Sequence, residues 1–220
     1  MIVAGVDEAG RGPCIGPLVI AAACVEKDDE EILLEKGVKD SKLLSREKRE
    51  ELFPQIHELC NGIAVEYIHP EELDRLMARQ SLNEIEAMKA AKALNSLAEK
   101  PEVVYVDSPD FISDNFGKRI MKYLEFKPKI ISEHKADVNY PCVSAASVVA
   151  KVNRDRAIDE LAKTHGFMGS GYPSDENTIN FIKNFLYKNN SLPPFVRRCW
   201  LTTERILNEK YQKKLFGAAP

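Results

Sequence analysis

Apolar residues in this chain fall into short runs with two different periods, and polar turns separate the runs. Ile2-Val3-Ala4-Gly5-Val6 is a continuous apolar stretch of strand length that ends at Asp7-Glu8 and a turn rich in glycine and proline, Gly10 to Pro17. A second run, Leu18 to Val25, follows directly, so the spacing predicts two neighbouring antiparallel strands. Leu52, Phe53, Ile56 and Leu59 recur at helical spacing after Ser45, and Ile63 to Ile68 reads as a strand. Pro70 suits the first turn of a short helix. Ser81-Leu82-Asn83-Glu84 has capping-box spacing and opens a longer helix to about Glu99. Val103 to Val106 predicts a buried strand ending in Asp107. A helix over 114–124, a short strand over 129–131 and a long helix from Pro141 to about Lys163 follow.

Strands and helices therefore alternate in mixed order, which implies an α/β domain with a mixed sheet and helices on both faces. The long helix begins with a face of small residues, Ser144, Ala145, Ala146, Ser147 and Ala150, that lets it lie close to the sheet. A glycine-rich loop, Gly166 to Pro173, precedes two last helices, about 174–188 and 203–215. The expected division is a catalytic domain over 1–160 and a small helical C-terminal extension over 161–220.

Composition narrows the class. The 220 residues are 44% apolar and 30% charged, as in an ordinary globular chain with one substantial core. No apolar run reaches the roughly 18 residues of a membrane span, and the first residues lack a secretory pattern, so a cytoplasmic protein with no membrane contact is expected. Cys14, Cys24, Cys60, Cys142 and Cys199 are scattered without a C-x-x-C pair, which predicts reduced thiols and no zinc cluster. The net charge of −3 is unevenly spread: residues 188–220 carry seven Lys and Arg against two Glu, a local +5, leaving 24 basic and 32 acidic groups elsewhere. A basic tail after an acidic body suits an approach to phosphate, or simply a solvated basic helix.

The acids that stand out follow apolar strands. Asp7-Glu8 follows the first, Asp107 the fourth, and Asp137 lies six residues past Ile131. Strand ends are where ligands collect in α/β sheets. Carboxylates held together repel unless a cation joins them, and oxygen-only ligation favours magnesium or manganese over zinc. Consecutive strand residues face opposite ways, so Asp7 and Glu8 both reach one site only if the strand ends or bends between them; alternatively Glu8 offers its backbone carbonyl. Taken singly, Asp107 also suits a turn before Ser108-Pro109, and Asp137 a helix cap.

Val6-Asp7-Glu8-Ala9-Gly10-Arg11-Gly12-Pro13 resembles the entry motif of the type 2 ribonuclease H (ribonuclease HII) family. Further segments match the family in order: Asp40-Ser41-Lys42-Leu43, Tyr105-Val106-Asp107, Lys135-Ala136-Asp137, the helix from Val143 to Asp155, and Gly169-Ser170-Gly171-Tyr172-Pro173. The Lys-Ala-Asp form and Arg197-Arg198-Cys199-Trp200-Leu201-Thr202 look most like its archaeal and eukaryotic branch. The resemblance implies an RNase H-like mixed β-sheet flanked by helices. It also implies hydrolysis of the RNA strand of RNA–DNA hybrids and cutting at ribonucleotides embedded in duplex DNA, with 3′-hydroxyl and 5′-phosphate products. Asp7, Glu8, Asp107 and Asp137 are then the catalytic acids and the ligands of two Mg2+ or Mn2+ ions, roughly 3.5 to 4 Å apart.

Under the same resemblance, Gly10, Arg11 and Gly12 bring backbone N–H and C=O groups to the 2′-hydroxyl, and Tyr172 packs on the sugar at the RNA-to-DNA junction. Ser41, Lys42, Asn83, Lys151, Arg197 and Arg198 are the remaining substrate contacts, as donors to backbone phosphates. Lys151 is alternatively a support for the carboxylates, Ser144 and Ser147 suit packing, and Trp200 suits anchoring of the terminal helices. A monomer acting on a hybrid or ribonucleotide-containing duplex is expected. Two rivals remain at this point: another two-metal phosphodiesterase, which would cut all-DNA substrates, and a catalytically silent nucleic-acid-binding module using the basic tail. Chemistry through a 2′-hydroxyl nucleophile would want paired histidines, whereas His57, His69, His134 and His165 are dispersed.

Overall fold

The computed structural model describes residues 1–39 and 43–215, with side chains to Gln212. Five strands form one mixed sheet in the order β3-β2-β1-β4-β5. β1 (Ile2–Ala9) runs antiparallel to β2 (Leu18–Glu26) and parallel to β4 (Val103–Asp107), which is parallel to β5 (Lys129–Glu133); β3 (Gly62–Ile68) closes the other edge. The helices among the described residues are α1 (Glu30–Glu35), α2 (Arg46–Leu59), α3 (Pro70–Met77), α4 (Leu82–Ser96), α5 (Ser113–Met121), α6 (Ala136–Asn139), α7 (Pro141–His165), α8 (Glu176–Asn189) and α9 (Leu201–Leu215).

Local chemistry sets the ends of these helices. Ser45 Oγ accepts from Lys48 N at the start of α2 (3.2 Å), and Ser81 Oγ accepts from Glu84 N at the start of α4 (3.3 Å), where that N–H also reaches Ser81 O (3.1 Å). Asp175 does the same for Asn177 N at α8. α4 stops at Ser96, short of the expected Glu99. The short helices α1 and α6 have no sequence pattern that announces them, since four to six residues are too few to show a period.

Two compact units divide the chain. One comprises 1–9, 19–67 and 80–155; the other comprises 10–18, 68–79 and the chain from 156 onward. The second unit takes the turn after β1 and the α3 segment as well as the chain from 156 onward. Cys14 and Ile15 from that turn are buried with Met168, Ile182, Leu186, Phe195, Val196 and Ile206, and Ile15 makes a lone antiparallel bridge to Val196.

In the first unit, alternate residues of β2 (Val19, Ala21, Ala23, Val25) share a core with Leu52 and Ile56 of α2 and with Ala145, Ala146, Val148 and Val149 of α7. The small-residue start of α7 does approach the sheet closely: a Cβ on Gly5 would lie 2.1 Å from the carbonyl carbon of Cys142 and 2.2 Å from Val143 N. That contact fixes the N-terminus of α7 against β1. All five cysteines are free thiols, Cys14, Cys24 and Cys142 fully buried. Among the described residues no helix is long and apolar enough to cross a membrane.

Candidate active site

β1 does not end at Asp7. It continues through Glu8 to Ala9, with Asp7 opposite Ala21 and Glu8 opposite Ile20 on β2. The expected bend between the two acids is absent because the ladder to β2 holds both in register. Parallel pairing of Val6 with Val106 then sets Asp7 beside Asp107, the last residue of β4. Asp137 comes from the first turn of α6, whose entry residue Lys135 adopts a left-handed conformation (φ 59°). Ala136 N donates to Asp107 Oδ1 (3.1 Å), tying the start of α6 to the end of β4.

These three carboxylates each offer an oxygen, and the oxygens lie within 4.8 Å of one another; Asp7 is 6% exposed and Asp137 1%. The Glu8 carboxylate is not in this group, consistent with strand alternation. Burial raises the Asp7 carboxyl from its ordinary 3.8 to about 6, with the Asp107 charge adding to the rise. A hydrogen bond with Ser147, the Glu8 N–H (2.8 Å to Asp7 Oδ1) and the Lys151 charge all oppose it. Three carboxylate oxygens held this close together are what a divalent cation relieves, and an oxygen-only donor set fits a hard ion such as Mg2+ or Mn2+.

Two residues of α7 serve Asp7 directly. Ser147 hydrogen-bonds the Asp7 carboxylate, and Lys151, one turn further on, donates Nζ to Ser147 Oγ (3.1 Å). The packing expectation for Ser147 thus misses its main contact. A serine among alanines on a helix looks like packing, and only the sheet reveals the partner. Lys151, expected as a phosphate contact or alternatively as a support for the carboxylates, acts on Asp7 through Ser147 and through its charge. Asn83, at the start of α4, donates to Asp110 in the loop after β4; Asp110 also accepts from Arg119 Nε (3.0 Å), and Arg119 Nη1 reaches Glu84 (2.6 Å). The Asn83 amide is thereby held in a fixed orientation.

The second unit carries the glycine loop. Gly10 has φ +86°, a conformation that favours glycine. Gly12 packs against Tyr172, with a Cβ at Gly12 falling 3.5 Å from the ring, and Tyr172 itself is 43% exposed. Cys14 N donates to Gly171 O (2.7 Å), joining this loop to the Gly169–Tyr172 turn.

Arg197 departs from the phosphate-contact expectation. Its side chain is fully buried and its guanidinium donates to three backbone carbonyls: Nε to Gly16 (3.0 Å), Nη1 to Arg11 (3.2 Å) and Nη2 to Gly10 (2.6 Å). Two adjacent arginines in a basic tail look alike in sequence, yet Arg198 is exposed and its backbone N–H is held by Asp74 Oδ2 (2.9 Å). Trp200 also joins the loop, through Nε1 to Gly12 O (3.1 Å). Ser41 and Lys42 lie outside the described residues. His57 packs on Phe53, His165 on Phe195, and the His134 ring faces the Ser108 and Phe111 carbonyls.

The family model described as Ribonuclease HII matches residues 4–203. The chain is 46% identical to Ribonuclease HII of Pyrococcus abyssi over 213 residues, covering 97% of this chain and 94% of that protein. The crystal structure of ribonuclease H2 from Pyrococcus horikoshii OT3 superposes with a TM-score of 0.91 at 45% identity, covering 97% of this chain and all of that one. RNase HII of Archaeoglobus fulgidus, solved in complex with PCNA, gives a TM-score of 0.83 at 41% identity over 91% and 95% of the two chains.

Proposed function

The chain belongs to the ribonuclease HII family, an endoribonuclease with RNase H activity on RNA–DNA hybrids, and from that premise we propose how its residues perform the cut and on which substrates. Beyond long hybrids, the proposed substrates include single ribonucleotides embedded in duplex DNA, and the products carry 3′-hydroxyl and 5′-phosphate ends. The observation that carries the mechanism is the cluster of the buried Asp7 and Asp137 with the half-buried Asp107.

In this reading those three carboxylates hold two Mg2+ or Mn2+ ions. Glu8, the residue next to Asp7, completes the ligand set through one of its oxygens, since a hard divalent ion takes six or more. Such ions, when bound, supply Lewis acidity for activating water and for stabilising the leaving 3′ oxygen. Ser147 and Lys151 hold the Asp7 carboxylate in its charged, ligating form at neutral pH. Asn83, fixed by Asp110, donates to a substrate phosphate, and Arg198, Ser41 and Lys42 supply further phosphate contacts that carry no sequence information.

The loop Gly10-Arg11-Gly12 discriminates ribose from deoxyribose. A site shaped to pair with a 2′-hydroxyl is left with polar groups lacking their partner when deoxyribose enters, which costs about 1–3 kcal/mol per lost partner. Tyr172, half exposed beside Gly12, packs on the sugar that follows the ribonucleotide. The catalytic unit is a monomer located in the cytoplasm. PCNA, the partner of the A. fulgidus homologue, is proposed as a partner here as well.

The deciding experiment is cleavage of a duplex containing one ribonucleotide, with magnesium, with manganese and with chelator, and with both product ends mapped. A metal-dependent cut on one side of the ribonucleotide leaving a 3′-hydroxyl supports the reading. Cleavage of an all-DNA duplex, or a cut that survives chelation, overturns it.

A further inference from the structure

One buried cation engages several backbone carbonyls of the glycine loop. Arg197 donates to the carbonyls of Gly10, Arg11 and Gly16, and its own N–H donates to Cys14 O (2.8 Å). Its guanidinium lies over the Trp200 ring, 4.7 Å from the centroid, and that ring's Nε1 takes the next carbonyl, Gly12 O. Three consecutive loop carbonyls are therefore engaged by residues 197 and 200. The 197–200 segment is itself pinned, because Asp74 of α3 accepts from both Arg198 N (2.9 Å) and Cys199 N (3.0 Å).

The consequence follows from peptide geometry. In a trans peptide the N–H points opposite to the carbonyl of the preceding residue. Fixing the Gly10 and Arg11 carbonyls on Arg197 turns the N–H groups of Arg11 and Gly12 away from it. Pro13 has no N–H, so the Gly12 carbonyl orients no donor. Arginine suits this task because its planar fork of donors stays charged at every working pH and presents several N–H groups in a fixed array.

We propose that Arg197, braced by Trp200, is a positioning residue that sets the peptide planes of Gly10-Arg11-Gly12, so that the 2′-hydroxyl oxygen is read by the N–H donors of Arg11 and Gly12 and not by the loop carbonyls. This inference rests on the reading of that loop as the ribose sensor and adds which atoms do the sensing and what holds them. Misplacement of a positioning group by about 1 Å costs on the order of a hundredfold in rate, so loss of the brace acts mainly on kcat.

The test uses Arg197→Lys, which keeps the buried charge but cannot span all three carbonyls, and Trp200→Phe, which keeps a ring under the guanidinium and removes only the bond to Gly12. Both are assayed on a duplex with one ribonucleotide in saturating magnesium, alongside the melting midpoint and calorimetric Mn2+ binding. Expected is a kcat loss of about tenfold or more for Arg197→Lys and a smaller loss for Trp200→Phe, with KM and Mn2+ affinity within about twofold of wild type. Lysine, restoring the charge, should recover part of the activity that Arg197→Ala loses per folded molecule. Wild-type kcat in folded Arg197→Lys and Trp200→Phe would overturn the inference, as would a loss appearing only in KM or only in the folded fraction. Failure of the wild type itself to require a ribonucleotide would instead refute the underlying reading of the loop.

Discussion

Asp7→Asn offers a quantitative test of the carboxylate cluster in the absence of any substrate. The Asp7 carboxyl is raised from 3.8 to about 6, chiefly by burial and then by the Asp107 charge. Because the folded state holds this proton more tightly than the unfolded chain, stability is lost as pH rises from about 4 to about 6, and the full cost remains above that window. At about 1.4 kcal/mol per pH unit the displacement amounts to about 3 kcal/mol, and relaxation around the site reduces it toward about 1–2. Asparagine keeps the shape and the acceptor for Glu8 N–H but carries no charge. In chelator at pH 7.5 the variant should therefore be more stable than wild type by about 1–3 kcal/mol, read from urea denaturation with a common slope. At pH 4.5, where Asp7 is largely protonated, the difference should shrink to a fraction of that. Comparing the two proteins at each pH cancels the other titrating groups. Saturating magnesium should narrow the gap at pH 7.5, since binding to the folded state alone stabilises wild type. Equal stabilities in chelator at pH 7.5, or a gap independent of pH, would refute the strain argument.

Other consequences are as direct. Gly5→Ala drives a methyl into the backbone at Cys142 and Val143, which a helix N-terminus cannot vacate, so a destabilisation of about 3 kcal/mol or more is expected from denaturant midpoints. Lys151→Met removes the charge and the donor that act on Asp7 through Ser147; the acidic limb of the pH–rate profile should move to higher pH, and an unmoved limb would dismiss the relay. Asp107→Asn and Asp137→Asn should each abolish cleavage while leaving the circular dichroism spectrum native, with Mn2+ binding by calorimetry weakened at least tenfold. Tyr172→Ala should lower turnover on a lone embedded ribonucleotide more than on a long hybrid, and parallel losses on the two substrates would remove its role at the junction.

What the chain's own order of residues determined is largely local or one-dimensional. Short apolar runs specified β1 through β5, Ser45 and Ser81 specified where α2 and α4 begin, and acids placed after apolar runs marked Asp7, Glu8, Asp107 and Asp137 alike. The small residues of α7 announced a close helix–sheet contact, which the glycine at position 5 completes from the other side. These signals survive in sequence because period, capping and turn chemistry act over a few residues.

Tertiary structure decided everything that depends on partners distant in sequence. The ladder to β2 carries β1 past Asp7, leaving Glu8 out of the carboxylate group, although the local pattern suggested a stop. Ser147 became a partner of Asp7, and Arg197 was diverted from phosphate to the carbonyls of a loop more than 180 residues earlier. The turn after β1 joined the C-terminal unit for the same reason. A serine, an arginine or a turn has no period of its own; its role is set by whichever groups the folded chain brings within about 3 Å.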